Sequence, residues 1–337
     1  MLQIEENNLL IEKTLTERIF SDEGNKSIDR IVTDFDFTAY HISTPETKHQ
    51  LLISIYLKCW DDLYEYGVIE YLSDKYTKYS SCLTILPTQQ VEASYNYSMV
   101  LDLEKIKEES EEFKLEVIQN VSLLKRYAMA SAFAKAFNRY DELSQQYMNS
   151  NTYAEEIQTE LFNEPVLVVR YRGLDECIYI KPSFDRVTVI FSTVFQDETD
   201  KVFGKVFLQE FVDARKRSVQ TAPQVLYNDK EPPLDIQSVA QGNKNNENKG
   251  YVTFVLFPRH LVKGDKRENC IGQIQVFRSY FHYHIKCSKA YMHSRMRFRV
   301  KEFLKILNRA KPENLDNDGK TIENRKTASG RRFDLRA

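Results

Sequence analysis

Three groupings of side chains in this sequence have types and spacings that chemistry uses, and each has a simpler structural explanation. Asp34 and Asp36 stand two apart in a strand-like run and so share a face, which would suit paired carboxylates or a divalent cation. Phe35 and Phe37 alternate with them, so a solvated strand face accounts for the pattern. His282 and His284 are two helical positions apart, which turns them about 200° from each other and denies them a common metal. His284 and Cys287, three apart, could share a face and bind zinc, but no third and fourth ligands lie nearby and a packed interface fits better. The sequence contains no GxGxxG, GxxxxGK(S/T), GxSxG or HExxH, and only ten glycines in all. Loops that cradle phosphate need glycine where backbone amides approach the ligand, so a nucleotide site is not expected. The expectation is a non-enzyme with no catalytic residue, no metal and no cofactor.

Charge is distributed unevenly behind a formal net charge of −2. Residues 104–116 are acidic, whereas residues 286–311 carry Lys286, Lys289, Arg295, Arg297, Arg299, Lys301, Lys305, Arg309 and Lys311 against Glu302 alone. Arg215, Lys216 and Arg217 form a second cationic cluster, read here as an exposed loop before the Thr221-Ala222-Pro223 break. Such patches attract nucleic acid, anionic membrane surfaces or acidic proteins. Nucleic acid is disfavoured because no aromatic-decorated strand of the RNP kind is present, which leaves an acidic protein as the best target. The five cysteines are scattered and include no CxxC, as expected for reduced thiols. No apolar run approaches the roughly 18 residues of a membrane span, and the first residues lack a signal-like apolar core, so a soluble cytoplasmic chain is expected.

The elements that must position these side chains follow from periodicity. Leu9–Ile19 is amphipathic, Ile31–Ile42 and Gln50–Leu57 read as strands, and Asp61–Lys75 as a helix. Ser80–Leu86 and Tyr95–Leu101 read as extended, followed by one long helix over Ser110–Gln146. In the second half Pro165–Arg172, Cys177–Lys181, Val187–Phe195, Val202–Phe211 and Tyr251–Pro258 read as extended, ahead of a helix over 265–311. Short connections between strands require antiparallel pairing. The fold class is therefore α+β, with two similar antiparallel-sheet-plus-helix domains, a duplicated unit, and a long C-terminal helix. Expected boundaries are a first domain over 1–148, a linker over 149–163, a second domain over 164–311 and a basic tail over 312–337. A polar loop is expected at Gly242–Lys249.

The long helix carries the strongest signal. Ile274, Phe277, Phe281, Ile285, Ser288, Met292, Met296, Val300, Phe303 and Leu307 recur at spacings of three and four, a stripe suited to packing against another long helix. At about 1.5 Å per residue it would run roughly 60–70 Å, longer than an ordinary domain is wide. Part of it is therefore expected to meet a partner.

The runs FDFTAYHIS (35–43), DRVTVIFSTVF (185–195), GKVFLQEF (204–211), TAPQVL (221–226), GYVTFVLFPRH (250–260), FHYHIKCSKAYMHSRMR (281–297) and FLKILNRAKP (303–312) closely resemble the subunit 2 family of the actin-related protein 2/3 complex. The likeness spans about Asn7 to Pro312. It departs from the family's pattern in a longer link around Asn149–Thr159, an extra residue near Arg215–Ser218 and a longer tail. The resemblance implies a non-catalytic actin-binding scaffold that pairs with subunit 4, carries the two actin-related proteins with the other subunits, and grips a pre-existing filament to support branching. It implies a cytoplasmic place in the actin cytoskeleton, at cortical patches, without nucleic acid or membrane insertion. The resemblance implies Asp213, Arg215, Phe277 and Lys305 at the filament, and the neighbouring cations Lys216, Arg217, Lys301 and Arg309 are expected there from their charge. The helix stripe would supply Ile274, Phe281, Ile285, Met292 and Met296 to the partner subunit. The alternative is a freestanding nucleic-acid or membrane-surface adaptor that uses the basic helix end.

Overall fold

The computed structural model describes residues 4–20, 27–44, 47–148, 163–240 and 247–310. Its chain divides into two compact units, Met1–Lys286 and Cys287–Ala337. The expected linker over 149–163, apart from Asn163, the tail over 312–337 and most of the loop at Gly242–Lys249 lie outside the described residues.

The first unit repeats one topology. Its first half runs α1 (Leu9–Phe20), β1 (Asp29–Asp34), β2 (Thr38–Ser43), β3 (Gln50–Tyr56), α2 (Trp60–Glu65), α3 (Val68–Tyr76), β4 (Leu83–Ile85), β5 (Tyr97–Asp102), α4 (Leu103–Glu108), α5 (Glu111–Ser122) and α6 (Leu124–Gln146). The second half runs β6 (Leu167–Val169), β7 (Ile178–Pro182), β8 (Val187–Val194), α7 (Glu198–Arg217), β9 (Gln224–Asp229), β10 (Lys249–Leu256) and α8 (Asp265–Ala310). The two five-stranded sheets have orders β1-β2-β3-β5-β4 and β6-β7-β8-β10-β9, antiparallel throughout. Each is a three-strand meander, a helical insertion, then a hairpin whose second strand pairs back on the third. The expected duplicated α+β unit is therefore the observed one.

Register places one apolar face on each sheet. Tyr40 pairs with Ile55 and Ile42 with Ile53, and across the next ladder Ile53 meets Met99 and Leu51 meets Leu101. All six are buried. In the second sheet Ile178 pairs with Phe191 and Phe191 with Val252, while Val189 pairs with Phe254. Helix α6 is buried along most of its length, and its alanines at 128, 130, 132 and 136 let it lie close to α2 and α3 and to β6 and β7 of the other half.

Several local readings needed correction. Ile31–Ile42 is a hairpin rather than one strand, so Asp34 and Asp36 do not share a strand face. Asp34 ends β1 opposite Thr38, and Asp36 and Phe37 sit in the turn with φ of 65° and 56°. The alternation of apolar and polar residues continues on both sides and hides the turn, which Asp tolerates because it visits the left-handed region readily. Asp61–Lys75 is likewise split at Gly67, whose φ of 81° ends α2. The long helix expected over 110–146 breaks at Leu123, where the Ser122 hydroxyl donates to the Gln119 carbonyl at 2.7 Å and competes with the helical pattern. Val202–Phe211 is helical, not extended. The Asp197 side chain caps α7 by accepting from the Asp200 amide at 2.8 Å, and Phe203 and Phe207, four apart, face the core. The fifth strand of the second sheet is instead β9, which the sequence reading passed over.

Helix α8 closes the second sheet. Phe277 lies with its ring centroid 4.6 Å from Phe254 and 5.3 Å from Phe191, and Phe281 packs on Phe195 and Phe207. Gly204 of α7 permits this packing, since a Cβ there would stand 2.8 Å from Phe195 and 3.1 Å from Phe281. Ion pairs hold the same segment: Arg278 donates twice to Glu176 at 2.9 Å, and Arg267 reaches Asp141 at 2.9 Å across the two halves. His282 shares a 2.7 Å hydrogen bond with Thr193 and stacks on Phe195.

Two outcomes follow from this packing. Gly204→Val should destabilise the chain by about 1–3 kcal/mol through overpacking, seen as a lower urea midpoint. Burial, with the nearby Arg278 charge, pushes His282 from its ordinary 6.5 down to about 4. The unfolded chain binds this proton before the folded one, so stability is full above about pH 6.5 and falls as acid approaches pH 4, by up to about 3 kcal/mol. In His282→Gln that part of the acid sensitivity should disappear from urea titrations at neutral and acid pH.

Candidate protein-interaction surface

The same helix has a buried first part and an exposed second part. Of the residues expected to meet partners, Ile274, Phe281 and Ile285 are spent in this chain's own core, and Phe277, expected at the filament, is only 7% exposed beneath its aromatic neighbours. The physical reason is the second sheet, whose apolar face would otherwise be wet over Phe191 and Phe254. Met292 and Met296, by contrast, are exposed, the latter at 60%.

Within residues 287–310 one apolar stripe and one cationic ladder run along different sides of the helix. At 3.6 residues per turn Met292, Met296, Val300, Phe303 and Leu307 fall within about 80° of one another. All five are exposed. Arg297, Lys301, Lys305 and Arg309, each four apart, form a ladder on the opposite side. Like charges at this spacing repel, and among the described residues only Lys305 of the four has a carboxylate partner, with Glu302 accepting at 2.8 Å. Arg295 lies over Tyr291 with its guanidinium 5.6 Å from the ring and donates to the phenol oxygen at 3.1 Å. Phe298, Leu304 and Ile306 are exposed as well. They lie off the stripe, and a search by three-and-four spacing passes over them. An exposed apolar stripe with cations on the opposite side gains from a partner that offers apolar cover and carboxylates.

The second cationic cluster is the last turn of α7 rather than a loop, so its charges also complement the helix C-terminus. Lys216 and Arg217 are exposed. Arg217 pairs with Asp213 at 3.4 Å, and Arg215, half-buried, donates to the Ala222 carbonyl at 3.1 Å with its guanidinium over Phe257.

The residues first considered for chemistry do other work. Asp36 pairs with Arg172 at 3.2 Å and with Lys125, tying the first hairpin to the second half. His282 is held by Thr193, and the His284 ring stacks on Phe207. Among the described residues no group of three or more His, Cys, Asp or Glu could hold a metal ion, and no helix is long and apolar enough to cross a membrane.

Comparison with known proteins decides the family. The family model described as the Arp2/3 complex 34 kD subunit p34-Arc matches residues 53–314. This chain belongs to the p34-Arc family. It is similar to the actin-related protein 2/3 complex subunit 2 of Schizosaccharomyces pombe, 45% identical over 335 residues and covering 99% of both chains. It is also similar to the protein of the same name from Dictyostelium discoideum, 34% identical over 322 residues, covering 96% of this chain and 97% of that one. The p34-Arc match extends past Lys286 through all of the exposed segment 287–310, so that segment is part of what the family model describes.

The split between buried and exposed halves has a direct test. Phe281→Ala should cost about 3–5 kcal/mol in the isolated chain, whereas Phe303→Ala should cost less than about 0.5 kcal/mol. Urea unfolding of the two variants side by side measures the contrast.

Proposed function

We propose that this chain is a non-catalytic, actin-binding scaffold subunit of an actin-related protein 2/3 complex. In this reading it pairs with subunit 4 along the exposed stripe of α8 and helps carry the two actin-related proteins. Its cations meet the side of a pre-existing filament, and the assembly nucleates branches in the cytoplasmic actin cytoskeleton, at cortical patches. The two sheet-and-helix halves, 1–148 and 164–311, serve as the two domains of the scaffold, joined by 149–163.

The observation that carries this reading is the exposed surface of residues 287–310, with five apolar side chains along one stripe and a four-cation ladder along the opposite side. The printed names of the relatives, each a subunit 2 of the actin-related protein 2/3 complex, agree with it. Met292 and Met296, joined by Val300, Phe303 and Leu307, would contact the partner subunit, while Ile274, Phe281 and Ile285 root the helix in its own domain. Lys301, Lys305 and Arg309, with Arg215, Lys216 and Arg217 on α7, would meet the filament. Asp213 then acts by holding Arg217 in place, and Phe277 acts from beneath the surface. Apolar burial supplies most of the holding energy in such an interface, and the charges supply encounter rate and register.

The two faces make separable predictions. Lys305→Glu with Arg309→Glu should leave the complex intact on purification yet weaken filament-side binding by about tenfold, an effect that shrinks as salt rises. Met296→Asp with Phe303→Asp should instead abolish recovery of subunit 4 with the tagged chain. Loss of the complex in the charge-reversal variant, or normal assembly of the aspartate variant, would contradict the division.

A further inference from the structure

A half-open groove of about 770 Å³ lies on the first compact unit, between the end of α7, the end of β10 and the first turns of α8. Its floor is apolar, built from Phe211, Leu256, Val276 and Tyr280. Arg259, His260 and Lys266 stand at its rim, and no Asp or Glu lines it among the described residues. Arg259 and Arg215 both lie over the Phe257 ring, with guanidinium carbons 5.4 and 5.7 Å from its centre. Neither these two arginines nor Lys266 has a carboxylate partner among the described residues. His260 adds no charge, because its Nδ1 accepts from the Phe257 amide at 2.9 Å and its Nε2 donates to the Thr221 carbonyl at 2.6 Å.

We propose that this groove docks an acidic amphipathic helix supplied by a partner protein. Two features select that occupant. The groove follows α8 from Lys266 to Tyr280, about 21 Å at 1.5 Å per residue, the length of roughly four helical turns and more than a compact metabolite needs. Arg259 donates to the Gln220 carbonyl at 3.3 Å, yet these cations, without a carboxylate partner among the described residues and beside an apolar floor, match a ligand with bulky apolar anchors on one face and carboxylates along its edge. The contact is separate from the exposed stripe of residues 287–310 and does not rest on the filament reading.

The test titrates the full chain into a labelled synthetic helix of about four turns, with Leu and Phe on one face and Glu on the other, read by fluorescence anisotropy. Binding should be saturable and weaker at high salt. Arg259→Glu with Lys266→Glu should weaken it about tenfold or more, as should Asn269→Trp, which fills the groove from an exposed position. Unchanged melting temperatures would confirm that these surface variants fold. A matched helix with Lys in place of Glu binding equally well would overturn the proposal, as would full affinity in either variant. Sedimentation showing that the groove is occupied by a second copy, which the acidic helix cannot displace, would overturn it too. No actin enters the experiment, so its failure would leave the filament reading standing.

Discussion

The packing of α8 against the second sheet is the contact on which the remaining features depend. Phe277 sits between Phe191 and Phe254, and Phe281 sits between Phe195 and Phe207. Each fully buried aromatic of this kind contributes about 1.5–3 kcal/mol relative to exposure. The rings also fix the helix azimuth, because edge-on and tilted aromatic pairs tolerate little rotation. Once that azimuth is set, Arg278 meets Glu176, His282 meets Thr193, and Lys286 reaches Asp200. Past Lys286 the apolar side chains from Tyr291 to Leu307 that continue along the helix are exposed.

Duplication explains why one helix is so long and the other is not. In the first half α6 is buried nearly all round because it lies among α2, α3 and strands of both halves. In the second half α8 occupies the corresponding place in the chain order; its first part is buried at Ile271, Ile274, Phe277, Phe281 and Ile285, and the apolar side chains from Tyr291 to Leu307 are exposed. The halves are joined by polar contacts that a purely apolar interface would not need: Arg172 with Asp36, Arg267 with Asp141, and the Tyr66 hydroxyl, which accepts from the Val168 amide at 2.8 Å. Partly buried pairs of this sort contribute less to net stability than to specifying one arrangement.

Much of this was legible in the residues. The long helix, the order of strands before helix in each half and the exposed cations of 287–310 follow from spacing alone. The failures have particular causes. VFGKVFLQEF is rich in valine and phenylalanine and holds a glycine, which favours a strand reading, while the Asp197 cap and the four-residue spacing of Phe203 and Phe207 reveal α7. The turn at Asp36 carries no glycine, so nothing marked it. The stripe from Ile274 to Leu307 looked uniform because periodicity reports that a face is apolar, not what covers it. Which part of that face belongs to the chain's own sheet became visible only when Phe277 and Phe281 were seen among Phe191, Phe195 and Phe254. The groove beside α7 was invisible for a similar reason, since its cations come from three separate segments.

In the proposed function the exposed second half of α8 is the surface that a partner helix covers. Hydrogen exchange across 265–310 tests this most directly, measured on the full chain alone and again after mixing with subunit 4 of the complex. The account predicts slow exchange over 270–286 in both samples, and fast exchange over 290–308 that slows by orders of magnitude when the partner is added. Equal protection of both segments in the chain alone, or no change at 290–308 on mixing, would contradict it.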